Sequence, residues 1–403
     1  MSEAETIIRI AAKGDGVTAS GIHHSGAVTG DKVHPDGTLE RGPEYQTPPC
    51  AHFGTCGGCA LQQASDPALA EFVTQRVVLG ASGQGIEPEE VLPTHLSPRQ
   101  SRRRATLHGM RRGKGAVLGF KQGGSHTIVD CTQCHVMRPE LFALLPALRQ
   151  FIAAHGSKRM VDIDLTLTGQ GVDCAIRNFE LEGLEATEAV LGFAQDNGLA
   201  RLAVDLGYGT ETMWEPQPVT ISLSGVPVSY PSGAFLQAAS DAEQLLASDA
   251  ARMLSGAEKV ADLFSGLGTF AFALSSPNQG SAAQLLAVEA ARDAHLACKG
   301  AAARAQRSVE ALHRDLFRNP MQGKELDAFD ALLLDPPRAG AREQIAAIAE
   351  SNIQRVVYIS CNPASWARDA RRLCDAGFKL KQLRPVGQFR WSTHVELVSY
   401  FTR

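Results

Sequence analysis

Val260-Ala261-Asp262-Leu263-Phe264-Ser265-Gly266-Leu267-Gly268-Thr269-Phe270-Ala271 reads as a short apolar strand, a glycine turn and the opening of a helix. Gly266 and Gly268 let the backbone bend tightly against a ligand. About 20 residues on, Glu289 ends the next apolar run, Leu285-Leu286-Ala287-Val288, where a carboxylate can hydrogen-bond a ribose diol. This strand–turn–helix unit predicts an α/β fold with a nucleoside-bearing cofactor at the carboxyl edge of its sheet. The pattern G-x-G-x-x-A also fits the dinucleotide fingerprint, so on this motif alone a nicotinamide or flavin enzyme stands beside that reading.

Two more strand ends carry chemistry. Leu332-Leu333-Leu334 runs into Asp335-Pro336-Pro337-Arg338, where the prolines forbid further ladder pairing. Val356-Val357-Tyr358-Ile359-Ser360 runs into Cys361-Asn362-Pro363, which puts a thiol at the edge of a ligand crevice. A buried cysteine is ordinarily a small hydrophobe, but hydride transfer has no use for a nucleophile two strands from its cofactor. The combination therefore points to group transfer.

Taken together, D-L-F-x-G-x-G, L-L-D-P-P-R-A-G, S-C-N-P-A and the terminal His394-Val395-Glu396 resemble the S-adenosylmethionine-dependent RNA uracil-5 methyltransferases, from about Cys50 to the C-terminus. Amino-group methyltransferases usually carry an aromatic residue after the two prolines, where this chain has Arg338. The resemblance implies a Rossmann-like class I methyltransferase domain over 226–403, a strand-rich iron–sulfur central domain over 49–225, and a reduced N-terminal barrel-like segment over 1–48. It also implies S-adenosylmethionine as cofactor and RNA as partner, with no membrane and no obligate protein partner, in the cytoplasm. Family members with cluster cysteines mostly modify 23S rRNA, which makes that RNA the expected substrate and tRNA the alternative. A non-catalytic RNA-binding protein on the same scaffold would be expected to lack Cys361, Glu396 or Asp335, and none is missing.

Uracil C5 is a poor nucleophile until a group adds to C6, which a thiolate at Cys361 can do. By resemblance Glu396 takes the C5 proton afterwards, and Asp335 holds the base or the cofactor amine in register. His394 competes for the base role, since an imidazole titrates nearer neutrality. The resemblance further assigns Gln237, Phe264, Gly266, Gly268, Thr269, Glu289, Asp315 and Asp335 to the cofactor. Departures from the usual pattern are Ala239 for asparagine, Ser265 for cysteine and Thr269 for asparagine.

Nine cysteines are present. Three fall in Cys50-Ala51-His52-Phe53-Gly54-Thr55-Cys56-Gly57-Gly58-Cys59, a metal-site spacing, and a fourth ligand is sought in Val129-Asp130-Cys131-Thr132-Gln133-Cys134. Four thiolates suit tetrahedral zinc or a cubane cluster equally. The family pattern V-D-x-x-x-C selects Cys134 over Cys131 and favours [4Fe-4S], making Cys50, Cys56, Cys59 and Cys134 the expected ligands. Cys174, Cys298 and Cys374 read as packing.

With 403 residues and 44% hydrophobic content the chain can bury two or more cores, and a net charge of -4 does not mark the whole molecule as a nucleic-acid binder. Positive charge is concentrated instead in Arg99, Arg102, Arg103, Arg104, Arg111, Arg112 and Lys114. Beside an RNA-modifying site this strip reads as a phosphate track, with Arg102 to Arg104 as its centre. No apolar run approaches the roughly 18 residues a membrane span needs.

Overall fold

The computed structural model describes residues 4–179, 183–205, 209–276 and 284–403. Its C-terminal sheet runs in the order Val309–His313, Gln284–Glu289, Lys259–Leu263, Ala331–Leu334, Arg355–Ser360, Glu396–Thr402, Lys379–Gly387 and Glu90–Val91, with His95–Leu96 further along the same edge. The first five strands are parallel, and all four residues of Ala331–Leu334 are buried. Parallel strands covered on both faces read as unbroken apolar runs. Strand order reverses between Lys259–Leu263 and Ala331–Leu334, the place where such sheets open a crevice for ligands.

Glu396–Thr402 is inserted antiparallel between Arg355–Ser360 and Lys379–Gly387, in the register Ser360↔Leu397. Because it runs the other way, its first residue lies at the same edge as the last residues of the parallel strands. Glu396 is thereby brought level with Cys361.

The central sheet has the order Thr210–Trp214, Arg201–Asp205, Gly171–Arg177, Val161–Thr168, Arg104–Arg112 and Gly115–Gly119, antiparallel except between Gly171–Arg177 and Arg201–Asp205. One face buries Leu107, Ile163, Leu165 and Ile176 against helices Leu145–His155 and Gly183–Asp196. At the N-terminus, strands of two to six residues form a five-stranded sheet that runs from His23–His24 to Leu39–Glu40.

Residues 66–97, grouped with the central domain on sequence grounds, pack with the C-terminal sheet. Helix Asp66–Ser82 buries Leu69, Phe72, Val73 and Val77 in the same core as Trp366, Leu380 and Phe401, and Glu90 and Val91 pair with Gln382 and Leu383. Among the described residues no helix is long and apolar enough to cross a membrane.

Candidate active site

The strand Lys259–Leu263 ends at Phe264, a non-glycine residue with φ of 66°, and then turns through Gly266 and Gly268 into helix Thr269–Leu274. A side chain at Gly268 would be pressed against Cys298 Sγ at 2.7 Å and Phe272 Cε2 at 2.8 Å, and its φ of 88° belongs to the left-handed region that glycine tolerates. The turn is held from the neighbouring strand, where Glu289 accepts from the Gly266 N–H at 2.8 Å and the Ala291 N–H at 2.6 Å. The carboxylate is thus oriented by backbone before any ligand arrives.

The Asp335 N–H donates to Leu263 O at 3.2 Å, which places its side chain beside the glycine turn. Asn362 caps helix Pro363–Asp375 by accepting from the Ala364 N–H, with Pro363 at the first helical position. Asn362 Nδ2 and Ser365 Oγ both donate to Arg338 O, at 2.8 and 2.9 Å. The Asp335–Arg338 and Cys361–Pro363 loops are therefore latched together.

These strand ends surround one cavity of about 700 Å³. Its lining includes Gln237, Phe264, Gly266, Thr269, Glu289, Asp315, Asp335, Cys361 and Glu396, the sequence-derived candidates apart from Gly268, which supports the turn from behind. Asp315 accepts from the Phe317 and Arg318 N–H groups, so part of its role is to cap its own turn.

The site is electrostatically loaded. Burial first, then the neighbouring Glu396 and Asp335, pushes the Cys361 thiol up to about 11, against the opposing pull of Arg338. Burial, followed by the Asp335 charge, pushes Glu396 up to about 8, while a hydrogen bond from Gln388 works the other way. Burial raises Asp335 to about 7, tempered by the hydrogen bond from Gln237 Nε2 at 3.3 Å. His394 moves down through burial and the nearby guanidiniums of Arg338, Arg102 and Arg76, which leaves it neutral but half-exposed at the rim.

Gln388 was not singled out from sequence. It donates to Gln237 Oε1 at 2.9 Å and accepts from the Ala238 N–H at 3.0 Å, both while buried, and so ties the Gln237 segment to Glu396. A polar residue directly after the strand Lys379–Gly387 is the same signal that marked Asp335 and Cys361. Phe317, packed at 5.3 Å against Phe264, also lines the cavity without having been read from sequence.

Two residues of the basic strip are engaged by the protein itself. The Arg103 backbone N–H donates to Ala238 O, its Nε donates to Gln237 O at 2.9 Å, and its guanidinium pairs with buried Glu243. Arg104 Nη1 donates to Leu236 O at 2.9 Å, and its guanidinium lies over the exposed Phe235 ring. Residues 236–238 lie outside regular structure, so their carbonyls need donors, and the two arginines supply them. Arg103 and Arg104 strap the cavity's wall in place.

Cys50, Cys56, Cys59, Cys131 and Cys134 all line a second, smaller cavity. Gly57 approaches Lys121 O so closely that a side chain there would come within 2.8 Å of it. Cys131 is buried in the central core and its S–H donates to Gln133 O, whereas Cys134 accepts from the Met137 N–H. A hydrogen bond from Cys131 lowers the Cys134 thiol despite burial, and burial lifts Cys59 to about 12. Among the described residues no three His, Cys, Asp or Glu side chains converge as ligands of a single ion.

A family model described as tRNA (Uracil-5-)-methyltransferase matches residues 228–403. A Zymomonas mobilis protein named as an uncharacterized RNA methyltransferase is 45% identical over 98% of this chain and 99% of its own length. The 23S rRNA (uracil(1939)-C(5))-methyltransferase RlmD of Salmonella typhimurium is 30% identical over 91% of this chain and 84% of its own. The chain belongs to the RNA uracil-5 methyltransferase family. It is an S-adenosylmethionine-dependent enzyme, which sets aside the non-catalytic alternative. Its fold matches that of the Pyrococcus abyssi tRNA (uracil-54, C5)-methyltransferase in complex with S-adenosyl-L-homocysteine, with a TM-score of 0.76 over 99% of both chains at 20% identity.

Proposed function

We propose that this enzyme methylates C5 of one uridine in 23S rRNA through a covalent bond between Cys361 and uracil C6. The observation that carries this reading is the meeting of Cys361, Glu396 and Asp335 in the cavity that the glycine turn and Glu289 also line. Gln237, Phe264, Gly266, Thr269, Glu289, Asp315 and Asp335 would hold S-adenosylmethionine, with Gly268 shaping the turn beneath it. When bound, the cofactor supplies a methyl group on a positive sulfonium.

Cys361 adds as thiolate to C6, and the displaced electron pair makes C5 nucleophilic. Arg338 favours the thiolate that burial opposes. Once C5 carries its methyl group, Glu396 in its ionised form takes the C5 proton, and the electron pair left behind re-forms the C5–C6 double bond as Cys361 departs as thiolate. A carboxyl held near 8 is matched to that transfer better than an ordinary carboxylate. His394, its charged form disfavoured by surrounding arginines, is the weaker base and lies at the rim.

Cys50, Cys56, Cys59 and Cys134 would hold a [4Fe-4S] cluster. These four cysteines line one cavity, which Cys131 also lines. Such a centre would cross-link the loop 50–59 to the loop 131–134. The four cysteines and the RlmD relationship support 23S rRNA over tRNA as substrate.

The test is RNA bearing 5-fluorouridine, whose fluorine cannot leave as a proton does. The wild-type protein should form a denaturation-stable adduct with 23S rRNA from cells lacking the enzyme, and Cys361→Ala should form none while still binding cofactor. An undiminished adduct in the variant would remove Cys361 from the mechanism. An adduct with tRNA alone would reassign the substrate.

A further inference from the structure

The side-chain amide of Gln237 has an accepting oxygen at one end and a donating nitrogen at the other, and backbone decides which of them faces Asp335. The Ala238 N–H donates to Gln388 Oε1 at 3.0 Å. A main-chain N–H can only donate, so the Gln388 oxygen is fixed there and its nitrogen is turned the other way. Gln388 Nε2 then donates to Gln237 Oε1 at 2.9 Å. With its oxygen so occupied, Gln237 directs Nε2 to Asp335 Oδ2 at 3.3 Å. Orientation passes from the backbone through two buried side chains to a carboxyl group in the cavity.

Asp335 does not by itself hold the amide this way round. Burial raises its carboxyl to about 7, and a protonated carboxyl donates to an amide oxygen as readily as an ionised one accepts from an amide nitrogen. Gln388, which stands outside the cavity, removes that ambiguity. Asp335 takes one of the two Nε2 hydrogens of Gln237, and among the described residues no other acceptor meets that nitrogen. Gln237 lines the cavity together with Asp335, Cys361 and Glu396, so the second hydrogen is available to a ligand there. On uracil the ring carbon next to C5 bears an oxygen, which accepts a hydrogen bond. On cytosine the same carbon bears an amino group, which donates.

We propose that Gln388 is a positioning residue for uracil specificity, locking the Gln237 amide with its nitrogen toward the reacting base, where it donates to the oxygen on the carbon next to C5. This rests on the RNA-methylation reading above. Gln237 would then serve the base as well as the cofactor. A reversed amide would present its oxygen and suit an amino group instead, so the choice of base depends on a hydrogen bond made behind the cavity wall.

The experiment combines changes in protein and in RNA. The RNA is a synthetic segment of 23S rRNA around the uridine left unmethylated in cells lacking the enzyme, carrying uridine or 4-thiouridine at that position. Methylation is followed in single turnovers with enzyme in excess. Sulfur is the weaker acceptor, and the wild type should be slowed about 10-fold by it, the worth of about one hydrogen bond. Gln388→Met, similar in volume but without an amide, should methylate uridine about 10-fold more slowly than the wild type. On 4-thiouridine it should lose less than about 2-fold further, because two changes that break one contact do not add. Gln237→Leu, which removes the donor itself, should also lose the preference for oxygen. A sulfur penalty in Gln388→Met as large as that of the wild type would overturn the relay, and so would an undiminished oxygen preference in Gln237→Leu. A wild type that methylates both RNAs at equal rates would sink the specificity claim alone. Absence of wild-type methylation on uridine, together with no adduct on 5-fluorouridine RNA, would sink the methylation reading and this proposal with it.

Discussion

Replacing Glu396 by glutamine should end turnover and yet stabilise the protein above neutral pH. The Glu396 side chain is 3% exposed, and burial together with the Asp335 charge lifts its carboxyl from 4.5 to about 8. Between those two values the folded protein keeps a proton that the unfolded chain has released. For a group whose folded value is raised, the stability contribution is full below the unfolded value and is lost as pH rises through the folded one. Each pH unit in that window removes about 1.4 kcal/mol, so the wild type should lose about 3 kcal/mol from this group alone between about pH 5.5 and about pH 7.5. Glutamine has no such proton to lose. Urea unfolding of both proteins at the two pH values, followed by the fluorescence of the fully buried Trp366 and Trp391, reads the difference. The gap between variant and wild type should widen by about 3 kcal/mol on going to the higher pH. Parallel pH dependences within about 0.5 kcal/mol, below what a shifted buried carboxyl requires, would refute the picture of Glu396 as a protonated acid in the free enzyme.

Because Asp335 and Glu396, raised to about 7 and about 8, both line the cofactor cavity, the positive sulfonium of S-adenosylmethionine should release protons near neutral pH. Calorimetry in two buffers of different ionisation enthalpy should detect this release, and S-adenosylhomocysteine, whose sulfur carries no charge, should show little. Gly268→Ala, at φ of 88° and pressed toward Cys298 and Phe272, should cost about 1–3 kcal/mol of stability and weaken cofactor binding, as thermal melts with and without cofactor would show. Arg103→Leu leaves buried Glu243 without its partner and should cost about 3–5 kcal/mol in urea unfolding, with no change in the salt slope of RNA binding.

Local chemistry was legible in the chain itself wherever a strand ends. An apolar run followed by Asp335-Pro336-Pro337, by Cys361-Asn362-Pro363, or by the Gly266–Gly268 turn marks both the element and the edge at which its last residue emerges. Backbone geometry links those two facts within a few residues, which is why Cys361, Asp335 and Glu289 could be nominated without coordinates. Cys50, Cys56 and Cys59, within ten residues of one another, could be nominated in the same way as candidate metal ligands.

Tertiary structure decided what depends on pairing across long separations. Glu396 reaches Cys361 only because its strand is inserted antiparallel, and no local pattern states a strand's direction. The run Arg102-Arg103-Arg104 has uniform charge and no hydrophobic period to orient it, so its sequence is silent on which guanidiniums turn inward. The unpaired carbonyls of 236–238, more than 130 residues away, take Arg103 and Arg104 as donors, while the Arg102 guanidinium lies over the Phe389 ring. Gln388 likewise becomes part of the site only through hydrogen bonds to Gln237 and Ala238, about 150 residues distant in the chain. A hydrogen bond or an ion pair is specified by both partners at once, and a sequence displays them one at a time.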